Sequence, residues 1–501
     1  MWQDRVVYEI FVQSFCDSNG DGIGDLNGVT SKLDYLADLG VGAIWLTPIH
    51  PSPSYHKYDV TDYYSIHPDY GTIEDFQRLL KEAHQRDIKI VIDLVINHCS
   101  HLHPWFRSAL DPESEFRDFF VWASEAEIKA EDNLVKEITG DSDNTHQWNA
   151  VQGQDEMYFG FFWSGMPDLN YDNPRVREEI YKVGKYWLTE IGVDGFRLDA
   201  AKHIYPDHRA KDNHAFWKEF KSTMESYKRD VYLVGEVWAD LPTQAPFAGG
   251  FTSLFNFDLS FSIMESVKNE RLVGATIHKN AWRLLENQSP ISLFLASMEA
   301  FTRNNPNFIN ATFLTNHDQN RVMSFLENEQ KGKLAPAILL TFPGIPYIYY
   351  GEEIGMRGMK PDEQIREPML WDDEENDGCR TRWMTPIYNI NGTTPSVNQQ
   401  RSNTSSMYHH YRRLIQIRNQ SEALRHGGLA SIDLKDDEVL AYVREYGTEL
   451  AHVYHNLSGQ SKSIVKAPGD MVFVTKDSKL EGETVVLPPY ESIIFISKPQ
   501  K

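Results

Sequence analysis

The chain has 501 residues, with 49 basic and 72 acidic side chains and a formal charge of −23. Such a surface repels phosphate backbones and anionic lipid, which excludes nucleic-acid and membrane partners and suits a neutral substrate. The length fits about three domains of ~150 residues, or one large barrel with additions, and a monomer is expected.

Three cysteines, Cys16, Cys99 and Cys379, have no metal-like spacing, which argues against a disulfide framework and toward a reducing compartment. Met1 leads directly into Trp-Gln-Asp-Arg, and no apolar run reaches the ~18 residues of a membrane span. A cytoplasmic protein is expected, although a secreted one with its leader removed would read the same way.

In chain order, Val6–Val12 reads as a short apolar strand feeding the loop Cys16-Asp-Ser-Asn-Gly-Asp-Gly-Ile-Gly-Asp25. Oxygen donors at Asp17, Asn19, Asp21 and Asp25, with the Ile23 carbonyl, match the opening of a calcium loop. Gly28 stands where an EF-hand needs its glutamate, so the loop is a calcium site of another kind or a solvated Asx-turn. A helix at Leu33–Leu39 ending on Gly40, a strand at Ala43–Pro48, a helix at Glu74–Arg86 and a strand at Lys89–Ile96 follow. Alternating βα units with continuously apolar strands predict a parallel sheet.

From Cys99 to Asn170 the alternation stops, and the segment is too long for an ordinary βα loop, so an inserted subdomain is predicted over residues 99–170. The pattern resumes with helix Arg175–Thr189, strand Val193–Ala200, helix Ala215–Arg229 and strand Val231–Trp238. Strand Ala311–Thr315, a helix around Leu334–Thr341, strand Tyr347–Tyr350 and helix Ser405–Asn419 complete it. Eight strands are reached if Leu254–Leu259 is the sixth. Past Leu424 come short alternating strands at Val439–Val443, Leu450–Tyr454, Met471–Thr475 and Ser492–Ile496, which predict an antiparallel β-sandwich over residues 424–501. The fold class is thus α/β, a (β/α)8 TIM barrel formed by residues 1–98 and 171–423.

Within strand Val193–Ala200, side-chain alternation puts Arg197 and Asp199 on one face and Phe196 and Leu198 on the other. In a closed barrel the charged pair enters the lumen near its carboxyl end. Asp93 and Asn97 share a face of the third strand. Glu236 ends the fifth strand and Asp318 follows the seventh, so Asp199, Glu236 and Asp318 converge on one mouth. A lone acid there is usually structural, whereas three beside Arg, Trp and His make a reaction site.

Four stretches, Asp93–His98, Gly195–His203, Glu236-Val237-Trp238 and Asn316-His317-Asp318, resemble in order and spacing the conserved regions of the α-amylase family, glycoside hydrolase family 13. The resemblance implies a retaining glycoside hydrolase in which Asp199 is the nucleophile, Glu236 the general acid/base and Asp318 the acid that holds the distorted sugar. It also implies that Tyr58, His98 and His317 bind the sugar before the cut bond, that the Lys202-His203 pair contacts the sugar beyond it and that Trp238 binds substrate, while the charge of Arg197 would keep Asp199 ionised. The Asp17–Asp25 loop, Met166–Asn170 and Arg366–Met369 resemble the oligo-1,6-glucosidase side of the family, whereas Lys202-His203 and Glu236-Val237-Trp238 resemble α-amylases. The chain therefore reads as an intermediate α-amylase cleaving α-1,4 bonds in starch, maltodextrins and malto-oligosaccharides, with transglycosylation open to it. An exo-acting α-glucosidase or oligo-1,6-glucosidase is the alternative. Calcium is the expected cofactor, with a second ion implied by the resemblance at Asn97, Asp168 and the His203 carbonyl.

Overall fold

Eight short parallel strands, buried almost throughout, carry the molecule: β1 Val7–Ile10, β2 Ala43–Leu46, β3 Lys89–Leu94, β4 Gly195–Leu198, β5 Tyr232–Gly235, β6 Ser253–Leu254, β7 Ala311–Phe313 and β8 Ile345–Tyr349. The computed structural model describes residues 1–130, 147–278, 281–373, 377–473 and 479–498. The strands pair in the order β7-β8-β1-β2-β3-β4-β5-β6. A parallel bridge between Phe255 and Ala311 joins the two ends, so the sheet closes into a TIM barrel.

Side-chain alternation sorts this barrel into two cores. Val7, Trp45, Val91, Val234, Phe255, Phe313 and Tyr347 pack together in the lumen. Tyr8, Ile44, Ile92, Phe196, Leu198 and Leu233 pack outward with the surrounding helices. The same parity sends Glu9 and Asp93 inward, and the register pairing Asp93 with Arg197 adds the guanidinium.

The helix at Leu33–Leu39 is stopped by Gly40, whose φ of 98° is readily adopted without a Cβ. The next helix, Ile73–Gln85, opens with a Thr72–Asp75 capping box and buries Phe76, Leu79, Leu80 and Ala83 along one face. The expected sixth strand, Leu254–Leu259, needs correction: only Ser253–Leu254 is extended, and Phe257–Asn269 is a helix. Asn256 is the reason, because its side chain accepts from Leu259 N at 3.0 Å and caps a helix start. Between β6 and β7 the chain also builds a hairpin, Gly274–His278 with Ala281–Leu285, and a helix, Pro290–Asn304, none of which is predicted above.

After β3 a small three-stranded sheet forms from Trp122–Ser124, Glu156–Phe159 and Trp148–Ala150. It is tied to the rim by the bridges His98–Asp168 and Phe120–Leu169, while residues 131–146 of the expected insert lie outside the described residues. Past the last barrel helix, Met407–Gln420, a five-stranded antiparallel sheet packs on a three-stranded one. Val439, Ala441 and Phe495 of the first meet Ile464, Val485 and Leu487 of the second in one apolar cluster. The predicted strand Met471–Thr475 is seen as Asp470–Phe473, and its last two residues lie outside the described ones. Among the described residues no helix is long and apolar enough to cross a membrane.

Candidate active site

Arg197, 1% exposed, is the hub of the barrel mouth. Its Nη1 donates to Asp93 Oδ1 at 2.9 Å and to Asp199 Oδ1 at 2.6 Å, while Nη2 pairs with Glu236 Oε2 at 2.7 Å. Three carboxyl groups therefore share one guanidinium, which offsets part of the cost of burying them. Directly after Asp199 the chain turns sharply: Ala200 has φ 47° and ψ 37°, a left-handed conformation that costs a non-glycine residue roughly 1–2 kcal/mol. The turn lets Ala201 N donate to Glu236 O at 3.0 Å, which locks the ends of β4 and β5 together. Gly235 before Glu236 has no room for a side chain, because a Cβ would stand 2.7 Å from Phe251 and 2.9 Å from Leu254.

Burial chiefly, and then the anions Asp199 and Asp318, raise the Glu236 carboxyl to about 8 against the opposing pull of Arg197. Burial likewise lifts Asp93 to about 6, with Arg197 opposing it. On the far side of the mouth, the His317 ring is fixed at both nitrogens. Nδ1 lies 2.6 Å from Glu9 Oε1, and Nε2 lies 3.1 Å from Asp318 Oδ2 and 2.6 Å from the Tyr58 hydroxyl. The Tyr58 ring stacks on His317 with centroids 5.6 Å apart. Burial alone would lower the His317 pKa, but Asp318 and Glu9 outweigh it and raise it to about 10. Asp318 moves the opposite way. Although burial pushes it up, His317 and Arg366 hold it well below the usual carboxylate range. Arg366 Nη2 donates to Asp318 Oδ1 at 2.7 Å, its Nε to His317 O at 2.8 Å and its Nη1 to the Tyr55 hydroxyl at 3.0 Å. One acid is thus kept protonated near neutrality and another is kept ionised within the same cavity.

That cavity holds about 640 Å³ and is lined by Asp199, Glu236 and Asp318 together with Tyr58, His98 and Trp238. His98 faces Phe162 at 5.2 Å and shares a hydrogen bond with the Tyr58 carbonyl at 3.2 Å. Phe162 and Trp163 of the insert and Trp282 of the rim hairpin add aromatic wall, and Trp163 is 45% exposed at the lip. Lys202 and His203 do not line the cavity. Lys202 Nζ pairs with Asp207 Oδ2 at 3.0 Å, and the His203 ring stacks on Phe161 at 3.8 Å. His317 itself is buried behind Tyr58 and Asp318. Glu9 and Trp282 belong to no motif in the sequence, and Arg366 stands there only in a stretch that marks the subgroup. Glu9 did carry a signal, since a carboxylate between Tyr8 and Ile10 in an apolar strand needs a buried partner.

The loop after β1 folds its acids back on its own backbone. Asp17 accepts from the N–H groups of Asn19, Gly20 and Gly22, Asn19 from Asp21 N, and Asp21 from Ile23 N. The all-oxygen donor set suits a hard cation, but both carboxylate oxygens of Asp25 are engaged, by Ser18 and by Gly28 N at the start of helix Leu26–Ser31. Among the described residues no three His, Cys, Asp or Glu side chains gather as a metal cluster. The second expected site fits a cation through a different observation. Asn97 Oδ1 is buried without a hydrogen-bond partner among the described residues, and Asn97 Nδ2 lies 3.4 Å from Asp168 Oδ2. Burial pushes the Asp168 carboxyl up to about 8, against the hydrogen bonds from Phe161 N and Asn97.

A model of the α-amylase catalytic domain matches residues 9–427, and one of the α-amylase SusG C-terminal domain matches residues 439–494. Alpha-amylase 3 of Dictyoglomus thermophilum is 44% identical over 98% of this chain and 93% of its own. The 4-alpha-glucanotransferase of Thermotoga neapolitana is 36% identical over 93% and 96%, and the oligo-1,6-glucosidase of Bacillus cereus 30% identical over 99% of each. The crystal structure of the alpha-amylase from H. orenii superposes with a TM-score of 0.85 at 41% identity, covering 99% of both chains.

Proposed function

Since the chain belongs to the α-amylase family and is therefore a glycoside hydrolase acting on α-glucans, we propose that it is a retaining, endo-acting hydrolase of α-1,4-glucosidic bonds in starch, maltodextrins and malto-oligosaccharides. The observation that carries the reading is the single Arg197 guanidinium, whose two terminal nitrogens hold Asp199 and Glu236 at 2.6 Å and 2.7 Å. Sharing a guanidinium keeps the two carboxyl groups close, as suits the ~5–5.5 Å pair of a double displacement rather than the wider pair of an inverting enzyme. Asp199 attacks the anomeric carbon while Glu236, protonated near neutral pH, gives its proton to the leaving oxygen. Glu236, now a carboxylate, then takes a proton from the water that releases the sugar from Asp199. Asp318, held ionised by His317 and Arg366, receives the hydroxyls of the distorted ring as positive charge develops.

Support for α-1,4 endo action comes from the Dictyoglomus thermophilum relative named an alpha-amylase and from the aromatic lip of the cavity. A sugar hydroxyl in place of water would give transglycosylation, the reading favoured by the Thermotoga neapolitana relative. Calcium belongs to the same proposal. Asp17, Asn19, Asp21, the Ile23 carbonyl and Asp25 would hold one ion, and Asn97, Asp168 and the His203 carbonyl another. Bound there, the ions supply charge neutralisation and cross-linking rather than chemistry on the sugar.

Product chromatography after incubation with maltoheptaose and, separately, isomaltose tests the reading. A ladder of maltose, maltotriose and longer products with isomaltose untouched is expected. Glucose alone, released from isomaltose as well, would move the protein to the exo-acting α-glucosidases.

A further inference from the structure

A carboxylate on β1 stands at the head of a hydrogen-bonded line of side chains that ends on Asp199. Glu9 is 1% exposed and is held in register on both sides, opposite Trp45 of β2 and Tyr349 of β8. Its Oε1 lies 2.6 Å from His317 Nδ1 and accepts from His317 N at 3.4 Å. At the other end of the ring, Nε2 lies 2.6 Å from the Tyr58 hydroxyl and 3.1 Å from Asp318 Oδ2. Tyr58 donates to Asp93 Oδ2 at 3.2 Å, and its oxygen accepts from Arg197 Nη1 at 3.4 Å. Asp93 also accepts from Trp45 Nε1 at 3.2 Å and from Arg197 Nη1 at 2.9 Å, and Arg197 Nη1 in turn donates to Asp199 Oδ1.

We propose that Glu9 is a positioning residue, one that rests on the assignments of Asp199 and Asp318 made above: by taking the Nδ1 proton of His317 it makes the ring an imidazolium and so fixes the direction of every proton along this line. A carboxylate accepts and cannot donate, so each ring nitrogen that faces one needs its own proton. With a proton on Nε2, the ring presents a donor to Asp318, and the Tyr58 hydrogen is left for Asp93. Asp93 then has donors in Tyr58, Trp45 and Arg197. Without a charge at position 9 the ring can become neutral with its proton on Nδ1. Nε2 is then an acceptor, the Tyr58 hydrogen turns toward it, Asp93 loses a donor and Asp318 faces a lone pair.

The surroundings support a charged ring. Burial alone would neutralise it, but Asp318 and Glu9 outweigh burial. Asp93 and Glu236 feel its charge, and Arg366 Nε donates to the His317 carbonyl at 2.8 Å. Burial keeps the hydroxyls of Tyr58 and of Tyr347 and Tyr349, the β8 residues nearest Glu9, protonated. Glu352, after β8, is raised to about 8 by burial and is mostly neutral at pH 7.

The test follows the ring protons in the whole protein labelled with nitrogen-15 histidine, His317 being the resonance absent from His317→Asn. Kinetics are run in parallel from about pH 5.5 to about pH 8.5 on whichever glucan the wild type cleaves fastest, so a wrong bond assignment leaves the test intact. Wild-type His317 should keep both ring protons throughout. In Glu9→Gln it should lose one at lower pH, and the loss of kcat should grow from about twofold at the acid end to about tenfold at the alkaline end. Glu9→Asp should keep the ring charged. Tyr58→Phe should cost less in Glu9→Gln than in wild type at the alkaline end, because both act through the same line. A Glu9→Gln loss that is equal at every pH would overturn the proposal. So would a neutral His317 ring in the wild type at pH 7, a result that decides the matter even if the variant fails to fold.

Discussion

Replacing Glu236 by glutamine isolates the proton donor with little disturbance of its surroundings. The amide oxygen can still accept from Arg197 Nη2, which lies 2.7 Å from Glu236 Oε2, and the volume is unchanged. With a folded pKa of about 8, the native carboxyl is protonated roughly ten to one at pH 7, so glutamine mimics its resting form. Thermal stability should match wild type below about pH 4.5 and exceed it at pH 7, where the native carboxyl must take up a proton on folding and the amide need not. Because this pKa is raised, the native group's contribution to stability is full below about 4.5 and is lost as pH rises through about 8, a dependence the variant should lack. Catalysis behaves differently, since a positioned general acid contributes about 10²–10⁴-fold, or about 3–5 kcal/mol of barrier. We expect kcat on maltoheptaose to fall by that factor, with a much smaller loss on an aryl maltoside whose leaving group needs no proton. The alkaline limb of kcat/KM should disappear, and calorimetric binding of maltoheptaose should be retained. A kcat within tenfold of wild type on maltoheptaose, or an unchanged alkaline limb, would refute the assignment.

Removing Arg366 as alanine strands Asp318 without its 2.7 Å partner, and the loss of a charge-assisted hydrogen bond should lower kcat about 10–100-fold, with partial recovery in Arg366→Lys. Tyr58→Phe keeps the stacked ring but deletes the hydroxyl beside His317 and Asp93, so steady-state kinetics should show a drop of about tenfold in kcat/KM. Burial pushes the Asp194 carboxyl up, but His84 at 2.7 Å, the Ile90 N–H at 2.9 Å and the Lys228 charge outweigh it and hold it at about 2. Its contribution of about 2 kcal/mol is present above pH 4 and is lost as pH falls through 2, so wild type and Asp194→Asn should converge in urea melts at low pH. Chelation with EGTA should lower Tm, and calcium rather than magnesium should restore it. An unchanged Tm would remove the proposed ions.

Much of the barrel was legible because its strands are buried on both faces, and all but β6, which shares only Leu254 with its predicted run, overlap the apolar runs by three residues or more. β6 was not, since Phe257 and Leu259 suit a strand or a buried helix equally and only the Asn256 cap separates the two. The three acids were legible because each ends or follows an inward strand, where a charge is expensive without a purpose. What surrounds them was less so. Glu9 and His317 are more than three hundred residues apart and meet only when β1 and β7 flank β8, a neighbour relation that periodicity does not encode. Trp282 escaped for a similar reason, because its place on the wall depends on stacking with Phe261 at 3.1 Å across the unforeseen hairpin. Lys202 and His203 show a further limit, because a motif fixes residue types while the ion pair with Asp207 and the stacking on Phe161 set where the side chains lie.

The brevity of β6 has a mechanical consequence. Ser253 and Leu254 pair with β5 at two positions, and contact with β7 rests on the Phe255–Ala311 bridge and the bond from Asn256 N to Ala311 O. A cylinder is only as stiff as its least-stitched join, and here that join lies next to the elements bearing Trp238 and Trp282. Amide exchange should therefore start along Ser253–Asn256 well before the β1–β2–β3 staves, with local opening felt first as a widening of the aromatic wall. Give in one seam would then adjust the mouth to an α-glucan, while the guanidinium-centred charge cluster beneath it keeps its geometry.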